Sequence, residues 1–367
     1  MRVREFVAPV LHRSGEPQVM DIVQLQEPQA GEVRVRMVAA GVCHSCLSTA
    51  DGSFGEMPLP MILGDEGAGV VEAVGEGCRS LAPGDHVVLS WAPSCGRCRF
   101  CSSGRPGICE TPAPLGRMSD GTSRFRVDGV QAFHMGPSTY SPYVVVDETA
   151  AVRVSRAIPL ESAALIGCAV TTGVGAVLNT AKVRVGESVA VFGCGGVGLN
   201  AVQGAALAGA HPVIAVDVLE SKLDVAKRLG ATDTVHSGEE DPVERIISLT
   251  GGGVDHAIVA VGATSVMDVA LRSLGRSGQC VLVGAPPFGT SLSVDPFLLV
   301  GSERRLVGSR YGSSNPQVAF PFLVDLYLTG KLKLDELITT RYPMHKVNEA
   351  SAALASGADI RGVLTFD

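Results

Sequence analysis

The fold is decided by the stretch Ser188-Val189-Ala190-Val191-Phe192-Gly193-Cys194-Gly195-Gly196-Val197-Gly198. Its first five residues form an apolar run of strand length, and the glycines follow at once with the spacing G-x-G-x-x-G. Small and apolar residues continue at helical period from Leu199 to Ala210. A second apolar run, 211–216, ends on Asp217. The order predicts strand, tight turn, helix and strand, which is the beginning of a doubly wound parallel sheet.

Each glycine of this turn has a distinct physical task. Gly193 permits the tight turn, Gly195 lets the backbone approach a pyrophosphate, and Gly198 lets the helix pack close to the strand. The helix that starts at Gly196-Val197 directs free N–H groups toward the phosphates. A glycine-rich turn alone is a weak signal, but here the strand, helix and terminal acid all fit. The stretch is therefore predicted to bind a dinucleotide.

The cofactor is predicted to be NAD rather than NADP. Asp217 stands 19 residues after Gly198, where a carboxylate accepts hydrogen bonds from the adenosine ribose hydroxyls. A 2′-phosphate would be repelled by that carboxylate. No arginine follows in Val218-Leu219-Glu220 to receive it.

Composition limits the kind of protein. A chain of 367 residues is long enough for two domains with separate cores. The net charge of −7 and the lack of a basic run argue against nucleic acid as a partner. No uninterrupted apolar run reaches about 18 residues, so no membrane span is expected. The N-terminus has no apolar signal core, which gives a cytoplasmic expectation. In that setting, clustered cysteines indicate metal rather than disulfides.

The order of patterns predicts two domains of different architecture. Up to about Val88 the chain has short alternating runs typical of antiparallel strands. From Val189, strands alternate with helices, and about six parallel strands are expected in two halves. The tail, residues 359–366, is predicted to be one strand that rejoins the first domain.

A metal site is predicted within the irregular stretch of residues 90–140. Cys95, Cys98, Cys101 and Cys109 have the spacing C-x2-C-x2-C-x7-C. Four thiolates on one short loop close a tetrahedral zinc site with no open position, which is a structural role. Spacing alone leaves an iron–sulfur cluster as an alternative.

A second set of candidate ligands is dispersed along the chain. It consists of Cys43, the pair Asp65-Glu66, and Cys168. Taken singly, each cysteine is more often a buried core thiol.

Together these motifs resemble the zinc-dependent medium-chain alcohol dehydrogenases. The resemblance runs nearly end to end and is nearest the branch of the liver-type and glutathione-dependent formaldehyde dehydrogenases. It implies an α/β chain with a GroES-like β-rich catalytic domain, residues 1–169 and 312–367, and a Rossmann NAD-binding domain, residues 170–311. The structural zinc loop spans about 90–112. The matching segments are Gly41-Val42-Cys43-His44-Ser45, Gly64-Asp65-Glu66-Gly67-Ala68-Gly69, the four-cysteine loop, Asp120-Gly121-Thr122-Ser123-Arg124-Phe125, Gly167-Cys168, the Gly193 turn and Ile360-Arg361.

The resemblance implies a catalytic zinc held by two cysteines and a histidine, with a fourth position for water or substrate. Cys43 and Cys168 match the cysteines, but Asp65 replaces the histidine. Carboxylate oxygen is also a zinc ligand, so Cys43, Asp65 and Cys168 form the predicted set. Cys46 replaces the acid that commonly orients that histidine. Cys46 as the third ligand, or a site damaged at Asp65, are the alternatives.

By the same resemblance, hydride passes between an alcohol carbon and the nicotinamide. Ser45 begins the relay for the hydroxyl proton, and the histidine that often ends it corresponds to Ser48. Glu66 matches a glutamate near the metal. Trp91 matches an aromatic residue of the substrate channel. Further cofactor contacts are implied at His44, Thr172, Lys222, Val283 and Arg361, the last with a phosphate.

The substrate is expected to be a largely apolar primary alcohol or its aldehyde. Glutathione-linked relatives carry an arginine shortly after the last loop cysteine, and residues 110–115 contain none. Two zinc ions per chain and a homodimer, possibly a tetramer, are also implied. The alternatives are a reductase of activated double bonds with weak or missing catalytic zinc, and a silent NAD-binding protein.

Overall fold

The structure is a computed structural model that describes residues 3–111 and 113–366. Met1, Arg2, Pro112 and Asp367 lie outside the described residues, and Pro112 belongs to the predicted zinc loop. By its contacts the chain divides into two compact units. The first is Met1–Cys168 with Asn315–Asp367, and the second is Ala169–Ser314.

The first unit is rich in short strands, and several of them, such as residues 32–41 and 143–147, are buried over most of their length. Up to Cys168 its helices are α1 (His44–Ala50), α2 (Arg99–Ser102) and α3 (Leu160–Ala164). Its strands are β1 (Val3–Val10), β2 (Val19–Gln26), β3 (Glu32–Gly41), β4 (Met61–Ile62), β5 (Gly67–Val74), β6 (His86–Leu89), β7 (Phe125–Val127), β8 (Val130–Gln131), β9 (Phe133–His134), β10 (Tyr143–Asp147) and β11 (Ala151–Arg153).

The second unit begins with α4 (Ala169–Gly175), which continues as a π-helical turn, Ala176–Ala181. Its strands and helices then alternate along the chain: β12 (Val189–Phe192), α5 (Gly196–Ala208), β13 (Val213–Asp217), α6 (Glu220–Arg228), β14 (Asp233–His236), α7 (Pro242–Thr250), β15 (Val254–Val259), α8 (Thr264–Arg272), β16 (Leu274–Leu282), α9 (Pro296–Val300) and β17 (Arg305–Gly308).

The strands of the second unit form one parallel sheet in the order β14-β13-β12-β15-β16-β17. The order reverses at β12, so two halves extend outward from the strand that precedes the glycine turn. Val189, Ala190, Val191 and Phe192 are all buried, as expected for a central parallel strand covered on both faces. The predicted doubly wound fold is confirmed.

The chain then returns to the first unit through α10 (Pro316–Leu328), β18 (Ile338–Pro343), α11 (Val347–Ala355) and β19 (Arg361–Thr365). The tail strand β19 pairs with β18 and, antiparallel, with β3. It thereby joins the sheet β11-β6-β5-β3-β19-β18, in which β10 also pairs with β3. This pairing places Arg361 beside the end of β3, next to Cys43.

Within residues 3–111 and 113–366 no single helix is both long enough and apolar enough to cross a membrane. One bent pair, Leu160–Gly167 with Ala169–Ala181, passes that test by length and composition only.

Candidate active site

The first turn of α1 presents three side chains at one place. β3 ends at Gly41, and the N–H of Val42 donates to the carbonyl oxygen of Gly362 in the next strand, at 2.9 Å. Cys43 is the N-terminal capping residue of α1, and the N–H of Cys46 donates to its carbonyl oxygen. The Sγ atom of Cys43 lies 3.6 Å from Oγ of Ser45. The β3 ladder therefore fixes the position of this turn.

Asp65 enters the same site from a tight bend before β5. Gly64 has a φ of +114°, which an L side chain rarely adopts, and a Cβ atom there would also crowd Thr139. The N–H groups of Thr139 and Tyr140 donate to the carbonyls of Gly64 and Leu63, at 3.1 and 3.0 Å. The bend is thus held against a neighbouring segment, and Asp65 is directed toward the cysteines.

Cys43, Asp65 and Cys168 form a buried group that fits a metal ion. One ligand atom from each lies within 4.8 Å of the other two. The side chains are 5%, 5% and 7% exposed. Sγ of Cys168 lies 3.6 Å from Oδ2 of Asp65. Zinc bonds of about 2.3 Å to sulfur and 2.0–2.2 Å to oxygen place tetrahedral ligands about that far apart. Two thiols and a carboxyl supply three zinc ligands, which leaves the fourth position of a tetrahedron open.

Three groups of this site have shifted pKa values. The hydrogen bond from the Cys168 thiol lowers the pKa of Cys43 to about 6. The same bond to Cys43, together with burial, raises the pKa of Cys168 well above its usual value. Burial, followed by the nearby Cys43 thiolate, raises the pKa of Asp65 well above its usual value. The surroundings therefore favour the thiolate at Cys43 and the protonated forms of Cys168 and Asp65.

Cys46 adjoins this group without joining it. Its Sγ lies 3.7 Å from Oδ1 of Asp65, and the thiol is 2% exposed. Burial, then the charges of Asp65 and Cys43, raise its pKa well above the usual value. Tyr140 is fully buried beside it, and burial followed by Cys46 raises the pKa of the phenol.

Behind the site, Glu66 and Arg361 form a buried ion pair. Nη1 of Arg361 lies 3.3 Å from Oε1 of Glu66 and donates to the carbonyl oxygen of Val42 at 2.9 Å. Glu66 is 0% exposed and Arg361 is 3% exposed. Gly41 leaves room for the glutamate, because a Cβ atom there would overlap its carboxylate. Nε of Arg361 has no hydrogen-bond partner within the described chain. The implied contact of Arg361 with a cofactor phosphate stays a prediction.

The four loop cysteines also gather around one point. Sγ of Cys98 lies 3.4 Å from that of Cys101 and 3.9 Å from that of Cys109, and Sγ of Cys95 lies 4.0 Å from that of Cys101. A tetrahedron with Zn–S bonds of 2.3 Å has edges of about 3.8 Å. The geometry therefore fits the four-cysteine zinc site that the spacing predicts.

Backbone N–H groups favour thiolates in this loop. The N–H of Cys101 donates to Cys98, the N-terminal capping residue of α2, and lowers the pKa of its thiol. A hydrogen bond from Thr111 is the largest of the effects that lower the pKa of Cys95 to about 6. Burial raises the pKa of Cys101 to about 12. All ten cysteines are free thiols, so no disulfide competes for these residues.

The glycine turn of the second unit has the form that a dinucleotide needs. Gly193 has a φ of +90°, and a Cβ atom on Gly198 would overlap the carbonyl oxygen of Gly193. The backbone conformation and packing of the chain therefore require glycine at both positions. A Cβ atom on Gly195 would meet nothing within 4 Å, and its φ of −79° suits any residue. This open space at the N-terminus of α5 fits a pyrophosphate. Oδ2 of Asp217 accepts from the N–H of Cys194 at 2.6 Å.

The other predicted residues occupy varied surroundings. His44 is exposed, and Ser45, Thr172, Lys222 and Val283 are half-buried. Trp91 is half-buried and packs against the apolar cluster that contains Cys43, Cys46 and Cys168. Sequence reasoning missed Tyr140, because a single tyrosine between polar residues carries no motif. It also missed the pairing of Arg361 with Glu66.

Two family models match the chain. The alcohol dehydrogenase GroES-like domain covers residues 29–156, and the zinc-binding dehydrogenase domain covers residues 196–327. An alcohol dehydrogenase class-3 of Dictyostelium discoideum is 38% identical over 98% of this chain and 97% of its own length. A probable S-(hydroxymethyl)glutathione dehydrogenase 1 of Schizosaccharomyces pombe is 41% identical over the same shares.

The chain belongs to the zinc-dependent alcohol dehydrogenase family.

Solved structures agree with this alcohol dehydrogenase assignment. An alcohol dehydrogenase zinc-binding domain protein from Burkholderia ambifaria is 37% identical, with a TM-score of 0.95 over 100% of both chains. A benzyl alcohol dehydrogenase from Acinetobacter calcoaceticus is 34% identical, with a TM-score of 0.94 over 99% of this chain and 100% of its own. The predicted resemblance is confirmed, and the protein is an alcohol oxidoreductase that depends on zinc and a nicotinamide dinucleotide.

We expect Gly195→Ala and Gly198→Ala to separate cofactor binding from folding. The first places a methyl group in the open space, so the Kd for NADH should rise at least tenfold while the free energy of unfolding changes by less than about 1 kcal/mol. The second crowds the helix against the strand and should cost about 1–3 kcal/mol. Fluorescence titration and denaturant unfolding measure the two quantities. Native NADH affinity in Gly195→Ala would contradict a pyrophosphate at this position.

Zinc uptake at the Cys43–Asp65–Cys168 site should release protons, because Cys168 and Asp65 must both be ionised to bind the ion. Both groups have raised pKa values, so protons compete with zinc and affinity should fall as the pH falls. Calorimetry in buffers of different ionisation enthalpy counts the protons. Asp65→Asn should release fewer protons per ion than the native protein, and equal proton release by both proteins would refute the assignment to Asp65.

Proposed function

We propose that this alcohol dehydrogenase interconverts a largely apolar primary alcohol and its aldehyde with NAD, at a zinc site formed by Cys43, Asp65 and Cys168. The supporting observation is the buried group itself, in which the carboxyl group of Asp65 lies beside two cysteine sulfur atoms at zinc-ligand distances. Cys46 lies outside that group, which favours Asp65 over Cys46 as the third ligand. We assign the catalytic role to the domain of residues 1–169 and 312–367, and cofactor binding to residues 170–311.

When bound, zinc polarises the substrate oxygen, and NAD accepts the hydride from the alcohol carbon. The chain supplies the surroundings of that reaction. Cys43 and Cys168 provide two thiolates, and Asp65 adds a third negative charge. Three anionic ligands make zinc a weaker Lewis acid than two thiolates with a neutral imidazole. The hydroxyl proton is therefore expected to leave at a higher pH than it would beside an imidazole ligand.

The route of that proton is proposed to begin at Ser45. Its Oγ is half-buried near Cys43, on the first turn of α1. Ser48 lies one turn further along the same helix, and residues three apart lie on the same helix face. Ser48 has no basic group, so it can relay a proton but cannot hold one near neutral pH. Solvent is then the final acceptor.

The choice of cofactor is proposed to rest on Asp217. Oδ1 of this residue accepts from the N–H groups of Val218 and Leu219 at 2.8 and 3.0 Å, which fixes the carboxylate at the end of β13. An ionised group at this place suits the hydroxyls of an unmodified ribose and repels a 2′-phosphate. This supports NAD over NADP.

An apolar substrate is supported by the packing around the cysteines. The cluster that contains Cys43, Cys46 and Cys168 has half-buried apolar side chains at its margin, among them Met57, Leu59, Trp91, Phe133 and Met135. The sequence of residues 110–115 contains no arginine that could bind a glutathione carboxylate. One of the structural relatives is a benzyl alcohol dehydrogenase, and benzyl alcohol is a largely apolar primary alcohol.

The first test is zinc content by elemental analysis, on protein purified without chelator or histidine tag, followed by a substrate panel. We expect about two zinc ions per chain in the native protein and about one in Asp65→Ala. Turnover should be highest with aliphatic and aromatic primary alcohols, at least tenfold above S-(hydroxymethyl)glutathione, and with NAD above NADP.

One zinc ion per native chain would overturn the proposed catalytic centre. Activity on enals with one zinc per chain would then indicate a reductase, and NADH binding without turnover would indicate a silent protein. Preference for S-(hydroxymethyl)glutathione would overturn the substrate alone.

A homodimer is proposed from the free edge of the parallel sheet. β17 is its last strand, and Phe297 and Val300 of the preceding helix α9 are 77% and 78% exposed. An open strand edge beside exposed apolar side chains suits pairing with a second copy. Sedimentation velocity should show about twice the chain mass of 37.9 kDa. Phe297→Asp should shift it toward the monomer, whereas Phe322→Asp, an exposed apolar position in α10, should not. A monomeric native protein would rule out this interface.

A further inference from the structure

The two oxygens of Asp65 face different neighbours. Oδ2 lies 3.6 Å from Sγ of Cys168, within the proposed ligand set. Oδ1 lies 3.7 Å from Sγ of Cys46, which is outside that set. A carboxylate that binds zinc through one oxygen needs its other oxygen held, because a free rotation about the Cβ–Cγ bond would move the ligand. Cys46 is placed to do this.

Cys46 is in turn held from two sides. Its N–H donates to the carbonyl oxygen of Cys43, so ligand and neighbour belong to one helical turn. Tyr140 is fully buried in the same cluster, and its hydroxyl adjoins the Cys46 thiol. The segment that carries Tyr140 is bonded to the carbonyls of Leu63 and Gly64, directly before Asp65. A buried hydroxyl donor beside the thiol supports the Cys46–Asp65 contact.

The chemistry of the thiol suits an aspartate ligand. A carboxylate accepts hydrogen bonds only, so the group behind it must be a donor without negative charge. A thiol S–H meets this requirement, whereas a second carboxylate at position 46 would repel Asp65.

We propose that Cys46, supported by Tyr140, is a positioning residue that holds Oδ1 of Asp65 and so directs Oδ2 to the zinc. The inference rests on the proposed Cys43–Asp65–Cys168 centre. It makes Cys46 and Asp65 a coupled pair, in which a change at one position is tolerated only with a matching change at the other.

The test measures zinc affinity of the second site by chelator competition, with the four-cysteine site still filled. Cys46→Ala should lose about tenfold to a hundredfold in affinity, the usual effect of removing a group that orients a metal ligand. Cys46→Ser, which keeps a short donor, should lose less, and Tyr140→Phe should show a smaller loss of the same kind. Cys280→Ala is the matched control, because Cys280 is an equally buried thiol in the core of the other unit.

A double-mutant cycle tests the coupling. Cys46→Asp alone should lose zinc from the second site, since it places two carboxylates together. Combined with Asp65→His, it should regain at least tenfold in affinity, because an imidazole ligand can donate to that new carboxylate. Additive losses in the double variant would overturn the pairing.

Cobalt substitution at the second site separates positioning from direct ligation. If Cys43 and Cys168 are the only thiolate ligands, the intensity of the sulfur-to-cobalt absorption should be the same in native protein and in Cys46→Ser. A loss of about one third would show that Cys46 is itself a ligand, and native zinc affinity in Cys46→Ala would show that it has no role. Either result overturns the proposal. A native protein with one zinc per chain would instead indicate failure of the proposed catalytic centre.

Discussion

The burial of several acidic groups around one point constrains the rest of the catalytic unit. Cys43, Asp65, Glu66 and Cys168 are each at most 7% exposed, and Arg361 is the cation placed against them. Burying one uncompensated charge costs several kcal/mol, and the pKa values of Cys168 and Asp65 are accordingly raised well above their usual values. In the proposed centre a divalent cation would relieve this constraint, because it would let Cys43, Asp65 and Cys168 ionise together. The glycines at positions 41 and 64 and the β3 ladder are the backbone conditions that allow the groups to meet.

The tail of the chain is part of that arrangement. β19 pairs with β3, and the pairing places the guanidinium of Arg361 between Glu66 and the carbonyl of Val42, one residue before Cys43. The ion pair with the buried arginine holds the glutamate carboxylate on the Arg361 side. The same pairing fixes the strand end from which α1 begins. Electrostatic and backbone support for the site therefore come from one C-terminal strand.

Much of the fold and part of the site follow from the sequence. The six parallel strands are predictable because buried strands give continuous apolar runs separated by helical periods. The four-cysteine loop is predictable because its ligands are local, and the observed sulfur separations fit the spacing. Cys194 and Cys280 show the limit, since both are buried core thiols that composition alone cannot distinguish from ligands. Tyr140 and Cys46 are brought together only by tertiary packing, and no periodicity or motif in the sequence predicts such a contact.

The departure from the family pattern at positions 46 and 65 is explained by the charges of the side chains. That pattern pairs a neutral histidine ligand with an acid behind it, whereas the centre proposed for this chain pairs an acidic ligand with a neutral thiol behind it. The pair carries one negative charge in both cases, so the total charge of the buried site is conserved. The location of the negative charge changes, because it moves from position 46, behind the ligand, to the proposed metal ligand at position 65. An aspartate at position 65 with the family's acid still at position 46 would place two carboxylates in contact. A cysteine at position 46 with the histidine still at position 65 would leave the imidazole without an acceptor. In the proposed centre the double exchange avoids both situations, and zinc held there would be a weaker Lewis acid.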